Sequence, residues 1–242
     1  MLVDVVFPPR CASCHGAVEA EGNFCGTCFA KLRMISAPLC TCCGIPFVVS
    51  IEDDMQCPAC LEAPPAFTKA RAAMVYDAVS APLVSALKFA DQWAGLKRYG
   101  KMMAGAGSEL LKGADILVPV PLHRSREMDR EFNQSWELCQ RLAQWTGIPL
   151  ANALARIRET DTQASLDREE RLRNLRGAFA LRKPRPWQTQ IPLLGRRILL
   201  VDDVFTTGAT LEACARALNR AGAAKVHAVA LARVVRPLDV TI

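Results

Sequence analysis

The sequence predicts an α/β fold, a parallel sheet wrapped by helices, preceded by a small cysteine-rich module. Three observations carry the prediction. Nine of the eleven cysteines crowd into residues 11–60. Over the rest of the chain, strand-length apolar runs alternate with helix-like stretches, the pattern of a parallel sheet with crossover helices. One of those strands, Arg197 to Val201, ends on the acid pair Asp202 and Asp203 and leads through a Thr/Gly turn into a helix.

The cysteine module comes first. Eight cysteines form four Cys-x-x-Cys pairs: Cys11 with Cys14, Cys25 with Cys28, Cys40 with Cys43, and Cys57 with Cys60. A two-residue gap lets a tight turn aim both sulfurs at one ion, and tetrahedral Zn2+ takes two such pairs. Four pairs therefore predict two zinc sites. Pairing in sequence order closes shorter loops than an interleaved arrangement and costs less chain entropy, which favours two consecutive ribbons. Each four-cysteine site is closed to water and substrate, so both zincs are expected to be structural. A disulfide framework fits less well, because the cysteine number is odd and the start of the chain lacks a signal-peptide core. Cys42 is left over, and His15 is read as a solvated neighbour of a ligand.

The segment Glu62 to Phe67 holds two prolines and no periodic pattern, which sets the expected boundary between residues 1–65 and residues 66–242. The charge divides at the same place. Residues 1–65 carry three basic and seven acidic side chains, and residues 66–242 carry 27 and 17. The second part is therefore +10 alone, a surface suited to an acidic small molecule or to a nucleic-acid backbone. No apolar run is long enough to cross a bilayer, so no membrane insertion is expected, and the missing signal-peptide core together with thiols kept reduced for zinc predicts a cytoplasmic location.

In the second part, strands are predicted at Ile116 to Val120, Ile198 to Val201 and Val226 to Ala232, and helices at Gln134 to Thr146 and Leu211 to Ala221. Trp136, Cys139 and Trp145 lie at helical spacing and read as core or interface packing. Ligands of open parallel sheets bind at the carboxyl ends of the strands, where Asp202 and Asp203 stand. Beyond them come Thr206, Thr207, Gly208, Ala209 and Thr210. Gly208 removes the side chain that blocks a phosphate from the backbone, while threonine hydroxyls and the free N–H groups of the helix can donate to it. The acids repel that phosphate and are expected to accept from sugar hydroxyls nearby, with Mg2+ close by. Phosphate at one end and diol at the other describe a ribose 5-phosphate. A phosphorylated-aspartate site needs no such turn, and neither a P-loop nor a GxGxxG is present.

The run LLVDDVFTTGAT resembles the signature of type I phosphoribosyltransferases. With VPVPLHRSREMDREFNQSWELC, RIRETDTQASLDREERLRNLRGAF and the cysteine-rich start, nearly the whole chain resembles the ComF family, some of whose members are linked to DNA uptake in competent bacteria. Glu131 departs from that family's usual glycine. The resemblance implies phosphoribosyl pyrophosphate with Mg2+ as ligand, Asp202 and Asp203 on the ribose, and residues 206–210 on its phosphate. It also implies Lys88, Arg124, Arg126, Arg130, Arg158, Gln163 and Arg171 as further substrate-binding residues. His123 joins those arginines near the expected pyrophosphate position, where their forks suit phosphate oxygens. Residues 156–185, with nine basic and five acidic side chains, are expected to fold over the site as a lid.

Two functions are carried forward. The first is a phosphoribosyltransferase-like protein that moves phosphoribose to a nitrogenous acceptor. The second is an accessory factor without turnover, a phosphoribosyl pyrophosphate sensor or a binder of single-stranded DNA and DNA-processing proteins. The sequence locates no pocket for an acceptor.

Overall fold

The computed structural model describes residues 8–11, 13–20, 24–48, 55–87, 95–122, 133–158, 168–183 and 191–236. At its centre lies a four-stranded, wholly parallel sheet in the order β1-β6-β5-β2. The strands are β1 (Lys69–Val75), β2 (Ile116–Pro119), β5 (Arg197–Phe205) and β6 (Lys225–Arg233). A separate antiparallel pair joins β3 (Leu154–Arg156) to β4 (Phe179–Leu181).

The alternation along β5 shows how the core is built. Ile198 and Leu200 face one apolar cluster, Leu199 and Val201 the other, and all four are fully buried. Such a strand reads as an unbroken apolar run because both of its faces are covered. Helix α8 (Ala209–Arg220) packs on the first face, and helices α4 (Leu96–Ala106) and α6 (Gln134–Thr146) on the second. Two short helices, α3 (Ala81–Ala86) and α5 (Ser108–Leu111), complete the crossover from β1 to β2. Helix α7 (Arg168–Leu175) lies between β3 and β4 in the chain. Among the described residues, no helix is long and apolar enough to cross a membrane.

The two cysteine groups straddle the sheet. Cys11 and Cys28 belong to the cluster with α4, while Cys40, Cys43, Cys57 and Cys60 belong to the cluster with α8. The segment between them lies along β1: Val75 N–H donates to the Arg33 carbonyl at 2.8 Å, and Ile35 N–H to that of Ala73 at 3.0 Å. This covers an otherwise open sheet edge. Cys42 is buried, and its carbonyl accepts from Ala70 N–H at 2.7 Å. Gly44 sits beside that contact at φ +69°, where a Cβ meets the Ala70 carbonyl oxygen at 2.3 Å. Only glycine fits there.

Helix α6 begins at the expected residue because Asn133 caps it, accepting from Ser135 N–H at 2.9 Å and Trp136 N–H at 3.4 Å. Of the three residues read as packing, Cys139 is buried and Trp136 half-buried, whereas Trp145 is exposed with Lys101 Nζ 4.8 Å from its ring centre.

Candidate functional site

Each cysteine quartet gathers in sequence order, Cys11, Cys14, Cys25 and Cys28 in one and Cys40, Cys43, Cys57 and Cys60 in the other, with sulfurs within 4.8 Å of one another. Cys14 and Cys25 sulfurs stand 3.7 Å apart, as do those of Cys43 and Cys57. Zn–S bonds of about 2.3 Å in a tetrahedron give an S···S edge of roughly 3.8 Å, so the sulfurs fit zinc. The two centres repeat one another in detail. Cys25 N–H donates to Cys11 Sγ and Cys57 N–H to Cys40 Sγ, both at 3.3 Å. Cys25 and Cys57 also stand at the N-cap positions of the short helices α1 (Gly26–Lys31) and α2 (Pro58–Glu62), where Cys25 Sγ accepts from Cys28 N–H at 3.4 Å and Cys57 makes no side-chain cap bond. The second quartet is entirely buried, whereas Cys14 is exposed and Cys25 half-buried in the first. Exposed His15 belongs to neither.

Strand β5 runs on through the acid pair, because Asp202, Val204 and Phe205 keep register with Ala230, Ala232 and Arg233 of β6. The two acids thereby enter different surroundings. Asp202 is buried, and its Oδ1 accepts from Ser135 Oγ and from Asp203 N–H, each at 3.0 Å. Burial pushes its carboxyl well above the usual carboxylate range, and the charge of Asp203 adds to the effect. Asp203 is half-buried, with Oδ1 accepting from Val204 N–H at 2.7 Å.

The turn that follows opens a 12-residue helix with Gly208 at φ +84° and no side-chain cap. A Cβ at Gly208 falls 2.7 Å from Phe205 Cε2. Thr206 is exposed, Thr207 and Thr210 are half-buried and Ala209 is buried. Thr207 Oγ1 accepts from Ala209 N–H at 3.4 Å. The turn thus offers hydroxyls and helix N–H groups at the carboxyl edge of the sheet, the surroundings in which phosphates bind.

Of the other residues named from the sequence, Arg158 turns to its own segment. Its Nη2 donates to the carbonyls of Asn174 and Arg176, which ties β3 to the end of α7. Arg171 lies on α7, and its side chain lies outside the described part. Lys88, His123, Arg124, Arg126, Arg130, Glu131 and Gln163 lie outside the described residues. Two residues at the site escaped sequence reading. Ser135, which holds Asp202, was findable from the Asn cap that starts its helix. Arg233, the last residue of β6, is buried against Cys43 and gave no comparable signal.

The double zinc ribbon domain family matches residues 2–61, and the phosphoribosyl transferase domain family matches residues 136–237. Relatives extend the likeness over the chain. The DNA utilization protein YhgH of Salmonella typhimurium is 34% identical over 93% of this chain and 97% of its own length. Competence protein F of Haemophilus influenzae is 30% identical over 93% and 96%. Competence protein ComFC of Bacillus subtilis is 28% identical over 89% and 86%. Among solved structures, a purine phosphoribosyltransferase from Pyrococcus horikoshii Ot3 aligns with 57% of this chain and 72% of its own, at 19% identity and a TM-score of 0.36.

Proposed function

The chain belongs to the ComF family, and we propose that its α/β domain binds phosphoribosyl pyrophosphate on the turn between β5 and α8. One observation carries the proposal: Gly208 opens a 12-residue helix at φ +84° with no side-chain cap, just past the end of β5, whose last residues include the two acids Asp202 and Asp203. Thr206 to Thr210 take the 5-phosphate, and Asp203 and Asp202 face the ribose hydroxyls. Asp202 acts in part through its neighbour, since its Oδ1 already accepts two hydrogen bonds. Mg2+ bound with the ligand offsets the charge of the pyrophosphate.

In turnover, the bond from ribose C1 to pyrophosphate breaks as a bond to an acceptor nitrogen forms, and no protein nucleophile is needed. The protein's part is positioning and charge stabilisation. By family resemblance, Lys88, Arg124, Arg126 and Arg130 face the pyrophosphate, with Arg158, Gln163 and Arg171 on the covering segment. Residues 1–65 form the ribbon module and residues 66–242 the ligand-binding domain, in a cytoplasm that keeps the zinc-binding thiols reduced.

The names of the relatives support DNA uptake or use as the setting. The charge distribution favours one form of it. Single-stranded DNA lies on the +10 second part, because residues 1–65 carry a net −4. Calorimetric titration of the zinc-loaded protein with phosphoribosyl pyrophosphate and Mg2+ tests the first reading. Binding by the wild-type protein and its loss in an Asp202→Asn, Asp203→Asn double variant is the expected result. No heat in the wild type sinks the reading and leaves the DNA-binding role.

A further inference from the structure

Trp145 stands in the last turn of α6 with 53% of its surface exposed. Among the described residues of α4 and α6 it is the one exposed large apolar side chain. Surfaces that dock protein partners carry contiguous apolar patches larger than roughly a few hundred Å², and a lone ring among charges is not such a patch. Its neighbour is a cation: Lys101 Nζ of α4 lies 4.8 Å from the ring centre.

The charge around the ring is of one sign. Helix α4 carries Lys97, Arg98 and Lys101 and no acid, and α6 carries Glu137 with Arg141 one turn on. Four cations against one acid leave this pair of helices at +3. Lys97 and Lys101 are exposed and, four residues apart, share one side of α4. Tyr99, between them in sequence, points to the other side, where its ring meets that of Phe24 in the first ribbon at 6.2 Å. The acidic ribbon module therefore packs away from the two lysines. Leu199 and Val229 face α4, and strand alternation puts Arg197 and Lys225 on that same face at the amino edge of the sheet.

This surface lies apart from the turn between β5 and α8. Helix α6 starts at the carboxyl edge of the sheet, where Asn133 Nδ2 donates to the Val120 carbonyl at 3.0 Å and Ser135 meets Asp202. Trp145 comes ten residues after Ser135, about 15 Å further along the helix axis towards the amino edge.

We propose that the exposed face of α4 and α6 is a binding surface for single-stranded DNA, with Trp145 as its base-stacking platform and Lys97 and Lys101 on the phosphates. The proposal rests on the DNA-binding reading above and gives it a place. An indole stacks on any unpaired base, whereas the bases of a duplex keep their faces to one another, so the surface selects single strands without reading sequence. Stacking a base on the ring releases Lys101 to the phosphate of the same nucleotide. The phosphoribosyl site, at the opposite edge of the sheet, takes no part.

Fluorescence anisotropy of a labelled oligothymidylate with the zinc-loaded full chain at low salt tests it, with an abasic oligonucleotide of the same length as control. The wild type binds the oligothymidylate, and Trp145→Ala weakens binding about fivefold or more with the salt dependence unchanged. Lys97→Gln with Lys101→Gln lowers the slope of log K against log salt by about 1.4, the loss of two phosphate contacts to a single strand. Trp145→Phe keeps most of the affinity, and the abasic strand binds more weakly and does not distinguish wild type from Trp145→Ala. Since all three side chains are exposed, melting temperature and phosphoribosyl pyrophosphate titration are expected to match wild type in every variant. Oligothymidylate binding undiminished in both Trp145→Ala and the lysine variant overturns the surface and leaves the DNA-binding reading standing. So does a wild-type dimer that Trp145→Ala dissociates without change in DNA affinity, which marks the face as a contact between copies. Absence of binding by the wild type at low salt sinks the DNA-binding reading and the surface with it.

Discussion

Ser135 Oγ donates to Asp202 Oδ1 at 3.0 Å and joins the first turn of α6 to the buried acid of β5. The contact keeps a carboxyl in the core that its surroundings hold well above the usual carboxylate range. A carboxyl raised in the folded state contributes stability that is fully present below its unfolded value near 3.8 and is lost as pH rises through the folded value. Asn in its place keeps an oxygen for Ser135 and carries no charge. Asp202→Asn is therefore expected to be more stable than wild type at pH 8, with the difference shrinking towards pH 4. Urea midpoints of both proteins, compared at each pH, check the sign, and a gain that grows on acidification contradicts it.

Gly208→Ala is expected to destabilise the protein by about 1–3 kcal/mol, since a left-handed backbone and a close contact coincide there. Its Cβ meets Phe205, whose ring has little room to yield between Phe67, edge-on at 6.0 Å, and the guanidinium of Arg233. Denaturant unfolding measures the cost. Calorimetry of the same variant is expected to show weaker binding of phosphoribosyl pyrophosphate, because the turn that receives the phosphate is displaced.

Loss of one cysteine from each quartet separates the two ribbons. Cys14→Ser and Cys57→Ser are each expected to lower the zinc content from two per chain to one by metal analysis. Their effects on unfolding differ. Cys57 is buried in the cluster that contains α8 and Phe205, whereas Cys14 is exposed. The Cys57→Ser melting temperature falls further, and equal losses contradict this reading of the packing.

Much of the architecture was legible because its signals are local. Strands β5 and β6 and helices α6 and α8 stand where apolar runs and helical spacing put them, within a few residues. Strand β1 escaped notice. Its sequence, KARAAMV, is rich in alanine and interrupted by two charges, so it shows no period of two, yet four of its last five residues are buried and the strand pairs with β6. Strand β5 was expected to stop at Val201, since carboxylates seldom enter a sheet core. Pairing with β6 carries it on to Phe205.

The sequence by itself determined the cysteine quartets and the strand–acid–turn–helix unit, because a Cys-x-x-Cys turn and a glycine-opened helix depend on neighbours a few residues away. Tertiary structure alone decided that the ribbons straddle the sheet, that Ser135 meets Asp202 across 67 residues, and that Arg233 meets Cys43 across 190. A charge at the end of an apolar strand carries no record of its partner. The partner is chosen when the chain closes around a shared core and a buried donor must find an acceptor.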